Sequence, residues 1–528
     1  MINRMHHAAY FGKSLRNMIV NGWRSLSQSR SRQLLLLALT ILIVKSTVLA
    51  FSMVPFDRAD ELFHFDYAYK LANGHGFINI YEDPISQDVF DAAKQLDYWK
   101  KLGLATPEEV GKLTPELLES ISDWYKWDIS GGSSYEGVQP PLYYSVCALF
   151  LKVLPIKDTI SQAYICRLVS IALAVLLLLT IYKFAFTVTG SKFIAVCSVL
   201  LLAVAPCESF ISMRISNDIA SQLMIAMLLL ILARYIRKRN TQLGLKSCLF
   251  LGILVGLAGL TKLTALIVGL ILVLAYLLFL NNSYLLNKIK AYSIITAIGL
   301  GLSGWWYVRN FLLYGDWAGG KAIVEAIYVT KPTLANIGTI SLQYTELLKQ
   351  LIFLPYYDFY LSIPHWFTLN IWILGMSFML TRLAADLPVR FLRTDLRTTV
   401  IIFYLVIAVA VRHIDVFILL APLIIMLMVR ERAVPSNLSR PMSTLFLASL
   451  VPAVVSAITF GFSVGPPSER YILVFVAAGV VYLGYSIRSL VKLNRSIGLL
   501  SFTVIAFLVD SSIHNYLLNL TYASRLGQ

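Results

Sequence analysis

The stretch DRADELFHFDYAY, residues 57 to 69, directly follows an apolar run of about the length of a membrane helix. It therefore begins where that helix meets water. Read as a helix, the stretch places Asp57, Asp60, Glu61 and His64 on one face. Three carboxylates and an imidazole this close together shift one another's pKa values, which a purely structural helix avoids. The alternative is a solvated, acid-rich first turn that the helix dipole favours.

The whole chain is too apolar for a soluble protein. Of its 528 residues, 58% are hydrophobic and 14% are charged, whereas soluble domains have about 45–50% apolar and about 25% charged residues. The five cysteines are scattered and lie mostly inside apolar runs, without metal-ligand spacing. The composition predicts a polytopic integral membrane protein whose fold is all-α.

Acidic residues are concentrated in one segment. Residues 54–139 contain 16 acids and 7 bases, although the chain as a whole has a net charge of +16. The remaining bases lie in short loops between apolar runs, where they orient the protein in the bilayer and indicate no nucleic-acid partner. Residues 1–32 hold six bases and no acid, so the N-terminus is predicted to be cytoplasmic.

The alternation of basic loops predicts about 13 transmembrane helices with an outer amphipathic-helix loop domain. The apolar run that closes at Pro155 is too short to span, and we expect it to form a juxtamembrane or re-entrant helix. The C-terminus is then outside. The predicted units are a cytoplasmic N-terminus (1–32), a first transmembrane helix (33–54), an outer loop with juxtamembrane helices (55–162), transmembrane helices 2–7 (163–308), a second outer loop (309–365) and transmembrane helices 8–13 (366–528).

Four cations lie near the predicted outer boundary, against the positive-inside trend: Arg167, Lys262, Arg309 and Arg470. Cations at this depth suit an anionic group at the membrane surface, such as a lipid phosphate. The alternative for each is interfacial anchoring beside Trp and Tyr.

Polar residues mark two further positions on the outer side. Asn217 and Asp218 open a predicted membrane helix, where the alternative is an N-cap followed by a first-turn acid. Gln139 precedes two prolines that restrict the backbone to an extended approach to the next helix, and Tyr143 follows them.

The order of these motifs resembles the GT-C superfamily of membrane glycosyltransferases, of the protein-mannosyltransferase and aminoarabinose-transferase type. Residues 33 to about 320 carry most of the resemblance, the C-terminal third matches only loosely, and seven motifs occur in the family's order. They are Asp-Glu with a following His, Gln-Pro-Pro-Leu-Tyr-Tyr, Arg-Leu at 167–168, Ser-Asn-Asp at 216–218, Gly-Leu-Ala-Gly-Leu-Thr-Lys, Trp-Trp-Tyr-Val-Arg-Asn-Phe-Leu-Leu-Tyr-Gly-Asp, and Glu-Arg-Tyr at 469–471.

The resemblance implies a catalytic acid in the first outer loop and a sugar donor carried on a polyprenyl phosphate. Asp60 matches the acid of the family's Asp-Glu pair, with Glu61 beside it. Asp57 departs from the pattern and is a second candidate base. Gln139 stands where aminoarabinose transferases have a lysine that helps to bind the lipid phosphate.

The predicted function is inverting transfer of a sugar from the donor to an acceptor hydroxyl at the outer face of a bacterial inner membrane, the acceptor being a glycan, lipid or protein. The carboxylates could hold a divalent metal, Mg or Mn, but no metal ligand is assigned. The alternatives are a transporter or flippase of polyprenyl-linked saccharides and a polysaccharide polymerase or ligase. The predicted substrate-binding residues are His64, Gln139, Tyr143, Arg167, Asn217, Asp218, Lys262, Arg309 and Arg470.

Overall fold

The computed structural model describes residues 30–56, 59–98, 134–204, 211–238, 242–327, 439–463 and 473–493. All the regular elements in these ranges are helical, and none of the described residues forms a β-strand element. In chain order the α-helices are α1 (Arg30–Ser52), α2 (Ala59–Ala72), α3 (Gln87–Gln95), α4 (Leu142–Val153), α5 (Thr159–Thr189), α6 (Lys192–Val204), α7 (Asp218–Arg237), α8 (Leu245–Gly259), α9 (Leu263–Ala275), α10 (Leu285–Tyr314), α11 (Gly320–Ile327), α12 (Ser439–Ser463) and α13 (Val476–Leu493).

Three short helical turns complete these elements. A 3-10 turn at Tyr135–Val138 precedes α4, a π-helical turn at Tyr276–Leu280 extends α9, and a 3-10 turn at Leu473–Phe475 leads into α13.

Five helices in the described ranges are long and apolar enough to cross a membrane: α1, α5, α7, α9 with its π turn, and α10. The 31 residues of α5 extend about 46 Å, more than the roughly 30 Å of a bilayer's hydrocarbon core. The chain is an integral membrane protein. The predicted total of 13 spans stays a prediction, because much of 309–528 lies outside the described residues and α6 and α8 are only 13 and 15 residues long.

The membrane helices pack in a layered bundle. Helix α5 lies along α7 and α6, α6 also contacts α1 and α13, and α9 packs on α12. The closest approach joins α8 to α10. A Cβ added at Gly252 would lie 2.7 Å from the Cβ of Ile298, and one at Gly259 would lie 2.5 Å from the Oγ of Ser303. Small residues on α8 therefore let the two backbones meet, as is common between membrane helices.

Helix α4 is short and sits on the corner between α8 and α9. Its 12 residues extend about 18 Å, well short of the hydrocarbon core. At its start the backbone N–H of Leu142 donates to the carbonyl of Leu260 at 3.0 Å, and its side packs against α2. These contacts place α4 between α2 and the turn that joins α8 to α9. The length of α4 suits a segment that does not cross, but the side of the membrane on which it lies stays a prediction.

Candidate active site

Glu61 on α2 and Arg167 on α5 form a buried bidentate ion pair. The Nε of Arg167 donates to Oε1 of Glu61 at 2.8 Å and its Nη2 donates to Oε2 at 2.6 Å. Glu61 is 1% exposed and Arg167 is 0% exposed. The acid-rich turn is therefore not solvated at Glu61.

The same guanidinium closes the end of α1. Its remaining N–H groups donate to the carbonyls of Ala50, Met53 and Val54 at 2.6–3.1 Å. Ala50 lies in the last turn of α1, where carbonyls lack an intrahelical partner, and Met53 and Val54 directly follow the helix. All five N–H donors of Arg167 are engaged in these hydrogen bonds. None is left for a lipid phosphate, so we propose a structural role for Arg167 in place of the substrate contact that its position predicted.

Glu61 is held ionised by its surroundings. Besides Arg167, it accepts hydrogen bonds from the backbone N–H groups of Phe56 at 3.0 Å and Ile215 at 3.1 Å. Burial acts to raise the pKa of Glu61, but Arg167, the charge of Arg214 and the Ile215 N–H together hold it below its ordinary value. A carboxylate whose pKa is lowered and whose oxygens are occupied is a weak proton acceptor, so we propose that Glu61 positions α2 and is not the base.

Asp60 occupies a different environment from its neighbour. Its side chain is half-buried, and its Oδ1 accepts a hydrogen bond from the hydroxyl of Tyr135 at 2.7 Å. Burial, and after it the charge of Asp60, raises the pKa of Tyr135 well above its ordinary value, which keeps that phenol a donor. Asp60 is therefore the more accessible of the two family-matched carboxylates. Asp57 lies outside the described residues.

His64 faces the 3-10 turn that precedes α4. Its Nδ1 lies 2.8 Å from the hydroxyl of Tyr144 and 3.6 Å from an Oε of Glu136, and its ring is 4% exposed. Burial, followed by the charge of Glu136, raises the pKa of Tyr144 well above its ordinary value. Asp60, Glu61 and His64, which were predicted to share one face of α2, thus each contact different residues. Tyr135, Glu136 and Tyr144 were not among the predicted site residues.

The polar motifs at Gln139 and at Asn217–Asp218 converge with the α8–α9 corner. Lys262 forms an ion pair with Oδ1 of Asp218 at 2.5 Å, and both residues are buried. The Nδ2 of Asn217 donates to Oε1 of Gln139 at 3.1 Å and to the carbonyl of Thr261 at 2.9 Å. Four predicted residues from three separate parts of the sequence are therefore in one hydrogen-bonded cluster.

Tyr143 links this cluster to α5. Its hydroxyl accepts from the backbone N–H of Ser216 at 3.1 Å and lies 2.7 Å from the Oγ of Ser170. Ser216 in turn donates to Oδ2 of Asp218 at 2.8 Å. Tyr143 is 1% exposed, so its contacts hold the first half of α5 against the start of α7, and we propose that it acts on substrate only through them.

Of the three predicted phosphate-contacting cations that the structure describes, Arg309 has the most N–H groups left without a described hydrogen bond. It is partly buried, its guanidinium carbon lies 4.7 Å from the centre of the Trp306 ring, and it donates to the carbonyl of Ile78 at 2.5 Å and to Oδ1 of Asn310 at 3.1 Å. These hydrogen bonds use two of its five N–H groups. Arg470 lies outside the described residues.

A metal site is not apparent among the described residues. In those ranges no group of three or more His, Cys, Asp or Glu side chains could hold a metal ion. Because Asp57 lies outside them, Mg or Mn at the carboxylate stripe stays a prediction.

Residues 138–307 match the sequence model of a family described as dolichyl-phosphate-mannose-protein mannosyltransferase. This segment begins just before α4 and contains the cluster around Asn217 and Gln139 and the packing of α8 against α10. No curated protein has a sequence that matches the chain with significance.

Among solved structures, the chain is similar to the oligosaccharyltransferase of Archaeoglobus fulgidus. The apo form has a TM-score of 0.47 and 11% identity, covering 92% of this chain and 56% of that chain. The form tethered with an acceptor peptide containing the NVT sequon has a TM-score of 0.46 and 13% identity, covering 90% and 55%. The AglB complex with an inhibitory peptide and a dolichol-phosphate has a TM-score of 0.39 and 12% identity, covering 90% and 55%.

This chain spans just over half the length of the archaeal enzyme, and TM-scores below 0.5 transfer no functional detail. The family match covers the segment that contains Gln139, Asn217, Asp218 and Lys262, and it agrees with the motif order read from the sequence. Residues 138–307 therefore resemble this mannosyltransferase family, and the glycosyltransferase activity of the whole chain is a proposal.

Proposed function

We propose that the chain moves a sugar from a polyprenyl-phosphate-linked donor to an acceptor hydroxyl at the outer face of a bacterial inner membrane, with Asp60 as general base. The observation that carries this assignment is the contrast between two adjacent carboxylates. Glu61 is buried and bound to Arg167, whereas Asp60 is half-buried and bound to a neutral phenol. Of this pair, only Asp60 is suited to take up a proton.

The proposed reaction is a single displacement. The acceptor oxygen attacks the anomeric carbon while its proton passes to Asp60, and the bond between that carbon and the phosphate oxygen breaks. One displacement inverts the configuration at the anomeric carbon. The polyprenyl phosphate leaves with the bonding electron pair, so a positioned cation lowers the barrier by stabilising its charge.

Arg309 is the proposed partner of that phosphate. It retains N–H groups that are not used in described hydrogen bonds, and its guanidinium lies over the Trp306 ring. The charge of Lys262 is matched by Asp218, so we place Lys262 second, as a residue that shapes the site and contacts the donor less directly. His64, Gln139 and Asn217 stay proposed contacts of the sugar or acceptor.

The described charges favour this proposal over transport. A transporter is expected to place its substrate charges near mid-membrane on broken helices. Here Asp218 is the first residue of α7 and Lys262 stands between α8 and α9, so both lie at helix ends. A glycan acceptor would make the enzyme a polymerase or ligase, while a lipid or protein acceptor would make it a modifying transferase.

Mass analysis of the cell envelope tests the proposal. Glycans, lipids and proteins would be compared from cells that lack the protein, make the wild type, or make Asp60→Asn at equal membrane abundance. We expect one hexose- or pentose-bearing product in wild-type cells alone. The same product at wild-type levels in the Asp60→Asn cells would contradict the assignment of the base, and identical envelopes in all three would contradict the proposed transfer.

A further inference from the structure

A groove of about 300 Å³ lies between α5, α7 and α8, away from the candidate active site. The first half of α5 and the start of α7 are joined at the active-site end, because Tyr143 contacts both Ser170 and the N–H of Ser216. The groove opens along the later turns of both helices, so it faces the opposite side of the membrane.

One wall of the groove is a single face of α5. Leu176, Leu179, Thr180 and Lys183 line it, at the i, i+3, i+4 and i+7 spacing of residues that share a helix face. The hydroxyl of Thr180 donates to the carbonyl of Leu176 within its own helix at 2.7 Å. The wall is therefore apolar until it reaches Lys183.

The facing wall on α7 repeats this pattern. Met227, Leu230, Ile231 and Arg234 line it at the same spacing, and Phe250 from α8 completes the lining. Both walls end in a cation at the same end of the groove. The result is an apolar groove with two basic side chains at one end, which we call its mouth.

The positive charge at this mouth is uncompensated in the described structure. Lys183 and Arg234 are both exposed, and neither side chain has a hydrogen bond or ion pair to any described residue. The sequence contains no acid between positions 159 and 207 or between positions 219 and 315. No acidic side chain on the helices that form the groove balances the two cations there.

We propose that this groove binds a phospholipid with an anionic head group, its phosphate between Lys183 and Arg234 and an acyl chain along the two apolar walls. Basic pockets between membrane helices on the cytoplasmic side are suited to anionic head groups, and Arg and Lys are the usual ligands of phosphate. The sugar donor is not the expected occupant, since Arg309, its proposed phosphate ligand, lies near the active-site end. The lipid site is therefore distinct from the catalytic one.

Native mass spectrometry of the purified full-length protein tests this site, with phosphatidylglycerol and phosphatidylcholine as probes. We expect the wild type to retain phosphatidylglycerol in preference to phosphatidylcholine. In the double variant Lys183→Gln/Arg234→Gln, the dissociation constant for phosphatidylglycerol should rise about tenfold or more, equivalent to about 1.4 kcal/mol. The matched control is Lys192→Gln/Lys290→Gln, which removes two exposed cations that do not line the groove and should leave the binding unchanged.

A second variant, Met227→Trp, fills the groove without changing its charge and should also release the lipid. Each variant is compared by its lipid-free unfolding temperature, so that a loss of binding is not a loss of folding. Equal binding in the wild type and the Lys183→Gln/Arg234→Gln variant would overturn the proposal. So would an equal loss in the control, or no retained phosphatidylglycerol in the wild type, as expected if another part of this chain fills the groove.

Discussion

Arg167 and Glu61, 106 positions apart in the sequence, form a buried two-point ion pair that ties α5 to the start of α2. The same arginine caps the end of α1 through three carbonyls. Through this one side chain, the helix that carries Asp60 is fixed relative to two membrane helices. The position of the proposed base thus depends on an ion pair that takes no part in the proposed chemistry.

Breaking this ion pair should destabilise the protein. Glu61→Gln leaves the buried guanidinium without its counter-charge, and removal of one partner of a buried pair typically costs about 3–5 kcal/mol. We expect a lower unfolding temperature in detergent and less folded protein in membranes. The matched control is Glu82→Gln, an exposed acid of the same loop, which should behave as the wild type. Equal unfolding temperatures for both variants would show that the pair contributes little.

The ion pair should also make stability depend on acid pH. The pKa of Glu61 in the folded protein is lowered from its usual 4.5, so the unfolded chain takes up the proton more readily. The stabilisation is then fully present above about pH 4.5 and is lost as the pH falls through the folded-state pKa. Unfolding temperatures measured from pH 7 to pH 3 should fall more steeply for the wild type than for Glu61→Gln. Parallel curves would contradict this.

Arg309 should act on the donor. A hydrogen bond to a charged group contributes about 1.5–3 kcal/mol, so Arg309→Ala should raise the KM for a polyprenyl-phosphate sugar by about tenfold or more and change the acceptor KM much less. Lys157→Ala, which removes an exposed cation from the α4–α5 loop, serves as the control. If Arg309→Ala leaves donor kinetics unchanged, Arg309 is an interfacial anchor beside Trp306.

Cysteine labelling should settle the topology. We expect a cysteine at Lys238 to resist a membrane-impermeant thiol reagent in intact cells and one at Glu82 to react, in a background without native cysteines. The prediction follows from the basic cluster at the end of α7 and from the 12-residue length of α4. External labelling at position 238 would invert the assignment of the outer face.

The sequence predicted which of the site's side chains lie close together better than it predicted the partner of each one. Spacing and motif order identified Gln139, Asn217, Asp218 and Lys262, and these side chains do meet. Helical periodicity placed Glu61 on the same face as Asp60. Such periodicity predicts which residues share a face, but it does not predict which neighbouring helix each side chain contacts. The partner of Glu61 therefore could not be read from local spacing.

Two other features escaped prediction for related reasons. Arg167 resembled a boundary cation because its sequence neighbours are apolar, and only the packing of α5 against the end of α1 shows that its donors are used internally. Tyr135 belongs to the acidic loop just before Gln139. Its position shortly before the two prolines that precede α4 was the one signal in the sequence that could have pointed to Tyr135.

Turnover by purified Asp60→Asn protein, measured with a polyprenyl-phosphate sugar donor and an acceptor identified from the envelope comparison, tests the central claim most directly. The substitution keeps the side chain's size and its hydrogen bond with Tyr135 while removing the base, so kcat should fall about 10²–10⁴-fold at an unchanged unfolding temperature. Asp57→Asn should cost less. Near-normal turnover by Asp60→Asn, with activity abolished in Asp57→Asn, would contradict the account and move the base to Asp57.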